Sequence, residues 1–259
     1  LSVTGEYYGV EKTIEKEFTV FAKGDADGIW QVRYMVARDA EVDGANGFTE
    51  LGGAHGVSTF TIGSSTYAIV GSQTDSGVQI IDITDPTDIV AKDAQDDGDS
   101  GGFDVLSNTI DVDTFTIGTS TYAIAVAYID DGVQILNITD PTTITATDDE
   151  TDGANSFTEL DGARDVETYT IGSKTYAIVT GYLDDGVQII DISDPTAIVA
   201  KDAETDGANS FTNLANPNGV SIFTIGGSTY AIVASIGDHG VQIIDISDPT
   251  AIVAKDAET

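Results

Sequence analysis

Between residues 56 and 62 the chain alternates, with Val57, Thr59 and Thr61 on one side and Phe60 and Ile62 on the other. That two-residue period predicts a half-buried strand. A turn at Gly63-Ser64-Ser65 leads into a second strand over residues 66–70, and a longer loop, 71–76, into a third over 78–84. The third is almost wholly apolar, so it is expected to be covered on both faces. Asp85-Pro86-Thr87 then turns the chain, because proline presets φ near −65° and the preceding carboxylate can cap the turn. A fourth strand over residues 89–94 carries more charge, as an outer edge should.

This unit is copied. The glycine opening the third strand recurs as Gly77, Gly132, Gly186 and Gly240, at spacings of 55, 54 and 54 residues. Phe60, Phe115, Tyr169 and Phe223 share a register, as do Tyr67, Tyr122, Tyr176 and Tyr230, and Phe48, Phe103, Phe157 and Phe211. The extra residue of the longer spacing falls in the loop after the fourth strand, where insertions are tolerated. Four short strands per unit of about 50 residues, repeated, predict an all-β fold: a β-propeller of four-stranded blades. Third strands start near residues 78, 133, 187 and 241.

The run Gly186-Val187-Gln188-Ile189-Ile190-Asp191-Ile192-Ser193-Asp194-Pro195-Thr196, preceded by Thr175-Tyr176-Ala177-Ile178-Val179, resembles the LVIVD repeat of extracellular propellers. The resemblance covers residues 36–259 and implies architecture and an extracellular or cell-surface location, with no activity attached. The unit here is longer, through its Asp-Gly-Ala-Asn-Ser-Phe-Thr loop.

Residues 1–35 match the repeat poorly and form a separate N-terminal segment. Residues 13–23 read equally as helix or strand, and residues 28–36 as a strand carrying Trp30, Val32 and Tyr34. From Val36 the text falls into phase as a fourth strand. Four full repeats are few for a ring. The favoured closure is a divergent fifth blade from the first 42 residues; the alternatives are a section of a longer ring, or a segment completing a neighbour's sheet.

Charge changes the picture more than composition does. Forty-four acidic against ten basic residues leave a net −34. Nucleic acid is excluded as a partner, since phosphate neutralisation needs clustered Lys and Arg. No apolar run reaches the ~18 residues of a membrane span, so membrane insertion is not expected. Salt or divalent cations would relieve the self-repulsion, which suits a protein outside the cell. The chain has no cysteine, and therefore no disulfide, thiolate nucleophile or Cys-based zinc site. It begins at Leu1 rather than Met, as a mature product or a piece of something longer would.

Candidate chemistry is sparse. Most carboxylates recur in every unit beside Gly or Pro, where turn chemistry accounts for them. The nearest approach to a calcium loop is Asp25-Ala26-Asp27-Gly28, which lacks the third ligand position and the closing Glu. No cofactor is expected, and Ca2+ only as a weakly bound ion. Glu167, and Asp165 beside Arg164, break the repeat; such a cluster is more often a surface ion pair than a catalytic site. The two loops flanking the entry to the first strand and joining the second to the third vary most between units, and both emerge on one face. They carry His55, Arg164 and Asn218 in one register, Tyr128, Ile129, Tyr182 and Leu183 in another, and Asp131, Asp185 and His239 in a third. A rigid scaffold with one variable loop face is how binding surfaces are built. The expectation is a non-catalytic structural or adhesive protein, a subunit of a surface assembly or filament, with a protein partner or self-association through these loops. The rival is a ligand-, glycan- or cation-binding module using the same face.

Overall fold

The computed structural model describes residues 38–259 and, of the preceding stretch, the backbone of two strands. The chain divides into two compact units, Leu1–Ala37 and Arg38–Thr259. In the first, β1 (Ser2–Tyr7) and β2 (Val10–Glu15) pair antiparallel with Ser2 opposite Glu15 and Tyr7 opposite Val10. The strand expected over residues 28–36, the fifth blade built on it and the Asp25–Asp27 cation loop lie outside the described residues.

The second unit holds four antiparallel four-stranded sheets in strict sequence order, and no helix occurs among the described residues. Sheet one is β3 (Ala54–Ile62), β4 (Ser65–Ser72), β5 (Gly77–Asp82) and β6 (Val90–Asp96). Sheet two is β7 (Thr109–Ile117), β8 (Ser120–Ala127), β9 (Gly132–Asn137) and β10 (Thr145–Thr151). Sheet three is β11 (Ala163–Ile171), β12 (Lys174–Gly181), β13 (Gly186–Asp191) and β14 (Val199–Thr205). Sheet four is β15 (Pro217–Ile225), β16 (Ser228–Ser235), β17 (Gly240–Asp245) and β18 (Val253–Glu258). The first strands β3, β7, β11 and β15 neighbour one another in turn, which puts them on the inner side.

Third strands end two residues earlier than their apolar text, because Asp82 turns its carboxylate onto the Thr84 amide at 3.0 Å and closes the strand. Fourth strands run to Asp96, Thr151, Thr205 and Glu258, past the end expected at 94 and its equivalents. Each contains a bulge, as between Ile80–Asp93 and Ile81–Ala91. A bulge re-aims a side chain, and this one turns Asp93 toward the next sheet, where it accepts the Ile144 amide at 2.7 Å. Asp148 does the same to Ile198 and Asp202 to Ile252, each at 2.7 Å. Residues 38–42 form no strand, contrary to the fourth strand expected from Val36. Asp39 nonetheless accepts the Ile89 amide at 2.7 Å, in the register of Asp93.

Three apolar cores join the four sheets, one per junction. Burial of these Val, Ile and Phe side chains is the main stabilising term, roughly 1.5–3 kcal/mol for each fully covered side chain. The loop phenylalanines close the junctions: Phe103 and Leu106 between sheets one and two, Phe157 and Leu160 between two and three, and Phe211 and Leu214 between three and four. A buried glutamine holds each loop in place. Gln188 accepts the Thr158 amide at 3.1 Å through Oε1 and donates to the Asp202 carbonyl at 2.9 Å through Nε2. Gln79, Gln134 and Gln242 repeat that bridge, which satisfies both ends of a polar group inside the core.

Candidate functional site

The variable loop registers meet between sheets two and three. Tyr128, leaving β8, and Tyr182, leaving β12, bring their ring centroids to 6.3 Å at a tilt of 54°. The Arg164 guanidinium carbon stands 4.7 Å from the centre of the Tyr182 ring. Ile129 and Leu183 beside them are 62% and 51% exposed, and Ile236 in the same register of sheet four is 50% exposed. They are three of nine large apolar side chains that stand exposed among the described residues.

A glycine makes the cluster possible. Gly53, Asn108, Gly162 and Asn216 share a register with φ of 69°, 62°, 64° and 49°, a left-handed conformation open to Gly and Asn. Where Asn stands, its amide reaches back to the preceding loop: Asn216 Nδ2 donates to the Tyr182 carbonyl at 3.0 Å, and Asn108 Nδ2 to that of Gln73 at 3.1 Å. Gly162 has no side chain to do so. A Cβ there would stand 2.9 Å from Leu183 Cγ and 3.2 Å from Tyr128 Cε2, so its absence is what lets those two side chains close over the backbone.

Arg164 was expected beside Asp165 and Glu167 as a surface ion pair. The four ion pairs among the described residues all use lysines, namely Lys92–Asp82, Lys174–Asp191, Lys201–Asp191 and Lys255–Asp245. Arg164 is spent on the tyrosine face instead, a contact worth ~0.5–1 kcal/mol at a partly exposed site. Asp165 is turned the other way, toward sheet four, where it accepts the Val220 amide.

The remaining loop residues divide by role. Asp131 accepts the Gly162 amide at 2.9 Å and Asp185 the Asn216 amide at 2.7 Å, so both tie one sheet's loop to the next sheet's first strand. Ser76 does this for the Asn108 amide at 3.0 Å. His239, in the same register of the last sheet, is exposed with φ 56°. His55 and Asn218 are exposed on β3 and β15. No ring contact or hydrogen bond joins these three to the tyrosine cluster among the described residues.

The first strands of sheets two and three carry four carboxylates in a pattern that sheets one and four do not share. Asp111 and Asp165 stand where sheets one and four have Gly56 and Gly219; Asp113 and Glu167 stand where they have Ser58 and Ser221. Asp111 accepts the Val166 amide at 3.2 Å, and a side chain on Gly56 would collide with it. Burial, followed by the adjoining Asp165 carboxyl, pushes the Asp111 carboxyl up to about 8. Asp113 accepts both the amide and the hydroxyl of Thr168, at 2.9 and 2.7 Å. At the equivalent junction Glu167 faces the register of Ile222, which has no hydroxyl to offer. Burial, then Asp113 and Asp165, push Glu167 up to about 7. Among the described residues no three or more His, Asp or Glu gather as a metal site. The Asp-Pro-Thr carboxylates are occupied by their own turns, as where Asp85 accepts the Thr87 amide at 2.9 Å.

Sequence reasoning picked out Tyr128, Tyr182, Arg164 and Leu183 but did not connect them. It missed Gly162, whose signal was the Gly/Asn alternation in one register, and the Asp111–Asp165 pair, whose signal was its restriction to the two middle units.

No curated protein matches this chain. Among solved structures it is similar to a thermostable family-43 glycoside hydrolase (TM-score 0.52, 11% identity, 80% of this chain and 73% of the other). An exo-β-1,3-galactanase from Phanerochaete chrysosporium, solved with β-1,3-galactotriose, gives TM-score 0.54 at 11% identity over 86% of this chain and 53% of its own. A family-117 glycoside hydrolase from the marine bacterium Zobellia galactanivorans gives 0.55 at 9% identity over 87% and 74%. The chain thus spans about half of the galactanase and about three-quarters of the other two. At these identities the likeness is one of fold and does not make this chain an enzyme. It does correct the expectation of a structural or adhesive filament subunit, because the solved relatives are carbohydrate-processing propellers rather than assembly subunits. The LVIVD repeat model matches residues 175–203 and 228–256, which run from the second strand through the fourth in sheets three and four. The chain carries LVIVD repeats on a β-propeller-like, all-β fold.

Proposed function

We propose that this chain is a glycan-binding propeller module whose ligand lies on the loop face against Tyr128 and Tyr182. The observation that carries this reading is the Tyr128–Tyr182–Arg164 cluster, gathered from two sheets on an otherwise acidic surface. Two partly exposed aromatic rings give an apolar platform, and a guanidinium edge supplies donors for hydroxyl groups, the mixture that small-ligand sites use. The carbohydrate-acting relatives support the same reading.

The module binds without turnover: Asp111, Asp113 and Asp165 are engaged with amides or hydroxyls of the next sheet, which suits clamps better than acid–base catalysts. The charge of −34 suits an extracellular, saline setting.

The test is titration of an oligosaccharide panel by calorimetry against wild type, Tyr128→Ala and Tyr182→Ala. Wild type should bind at least one member, with a loss of about tenfold or more in each variant, the equivalent of ~1.4 kcal/mol. Binding unaffected by either substitution would move the site elsewhere. Hydrolysis of a panel member that disappears in Glu167→Gln would overturn the non-catalytic part.

A further inference from the structure

Two glutamates lie where a carboxylate does not belong. Glu50, Val105, Glu159 and Asn213 share one register, two residues after the loop phenylalanines. In sheet four the Asn213 side-chain amide donates to the Glu258 carbonyl at 2.9 Å, tying the loop to the end of the fourth strand beside Gly240. The same place beside Gly77 holds Glu50 Oε2 and the Gln95 carbonyl, and beside Gly186 it holds Glu159 Oε2 and the Glu204 carbonyl. Gln95, Glu204 and Glu258 are themselves equivalent, facing Val78, Val187 and Val241. Glu50 Oε2 and Glu159 Oε2 are both buried without a hydrogen-bond partner. Each of these oxygens shares the space over its glycine with that carbonyl, and as a carboxylate neither has a donor to satisfy it. As a carboxylic acid each has the O–H that would replace the Asn213 N–H.

We propose that Glu50 and Glu159 are protonated in the folded protein and serve as acid clamps, each donating to the carbonyl of the next-to-last residue of its fourth strand, Gln95 or Glu204, and releasing it when the proton is lost. The leading influences on both reinforce the proton. Burial raises Glu50 to about 7, followed by Asp75, Asp96, Asp43 and Asp99. Burial likewise raises Glu159 to about 7, followed by Asp184, Asp152, Asp185 and Glu204. All eight neighbours are acids, drawn from the preceding turn, the loop between second and third strands, the fourth strand and its following turn. A carboxyl raised in the folded state binds its proton more tightly folded than unfolded, so stability is full below about 4.5 and falls as pH rises toward about 7. Glu159 precedes Gly162 by three residues, so its release also loosens the turn beneath Tyr128 and Leu183. That consequence rests on the glycan-binding reading.

The proton itself is read by carbon-13 NMR of side-chain carboxyls in the whole chain. Three glutamate resonances should titrate near neutrality, those of Glu50, Glu159 and Glu167, and Glu50→Gln and Glu159→Gln should each remove one of them. All glutamates titrating in their ordinary range would overturn the proposal without recourse to any variant. Melting from pH 5 to 8.5 gives the second arm. The Glu50→Gln/Glu159→Gln double variant should match wild type at pH 5 and exceed it by about 5 °C at pH 8.5; an equal difference at both ends would refute the clamp. Glycan binding that weakens above neutrality in wild type but not in Glu159→Gln supports the coupling to the site. PH-independent binding would sink the coupling alone, and absence of binding at every pH would sink the glycan reading while leaving the NMR result to stand.

Discussion

Replacing Asp148 by alanine removes one hydrogen bond that spans two sheets. Asp148 stands at the bulge of β10 and accepts the Ile198 amide at 2.7 Å, and Ile198 is 5% exposed inside the core between sheets two and three. Without the carboxylate that amide is buried and has no acceptor, a cost of ~1–3 kcal/mol. The substitution also removes one of 44 acids, which by itself relieves repulsion and stabilises slightly. A matched control separates the two effects. Asp256 occupies the same register in sheet four but accepts only the neighbouring Ala257 amide, at 3.1 Å and exposed. Asp256→Ala deletes the same charge and no bond between sheets. By calorimetric melting, Asp148→Ala should lose ~3–9 °C relative to Asp256→Ala, taking ~3 °C per kcal/mol for a chain of this size. Equal melting of the two variants would refute the idea that the bulged aspartates bind sheet to sheet.

Two further outcomes follow from the site. Gly162→Ala should cost ~1–3 kcal/mol in urea unfolding, since φ of 64° strains any Cβ and Leu183 Cγ stands 2.9 Å away. It should also displace Tyr128 and reduce ligand affinity, whereas Gly172→Ala, in a turn with φ of 64° and open space around it, should show only the backbone cost. Asp111→Asn should gain on wild type as pH rises from about 4 toward 8: the wild-type carboxyl is raised, so the folded state holds a proton the unfolded chain releases, and asparagine does not titrate. A melting difference that stays constant across that range would count against a protonated Asp111.

Much of this architecture was legible. The alternation of residues 56–62, the glycine spacing and the fixed Asp-Pro-Thr turns led to four-stranded sheets whose strands lie within two residues of those observed. The variable loop registers led to Tyr128, Tyr182 and Arg164. What could not be read were relations between sheets. Asp93, Asp148 and Asp202 look like edge-strand charges, and only the bulge reveals that each reaches the next sheet. Asp131 and Asp185 look like exposed loop acids and prove to hold backbone amides across a junction. A glutamine in an apolar strand carries no sign of which loop it bridges.

The limit is clearest in one hexapeptide. Gly-Val-Gln-Ile-Ile-Asp forms β5, β13 and β17, always a strand, always paired on both sides, with its glutamine on the same fourth-strand carbonyl. The letters determined that much, because ladder geometry and side-chain period are local properties. Yet β13 is buried at all six positions while β17 is only half-buried at Gly240, Val241, Ile243 and Asp245. Burial depends on what packs against the face. Sheet three lies between two described neighbours and sheet four beside one, so only the tertiary arrangement decides which copies of the same sequence become core.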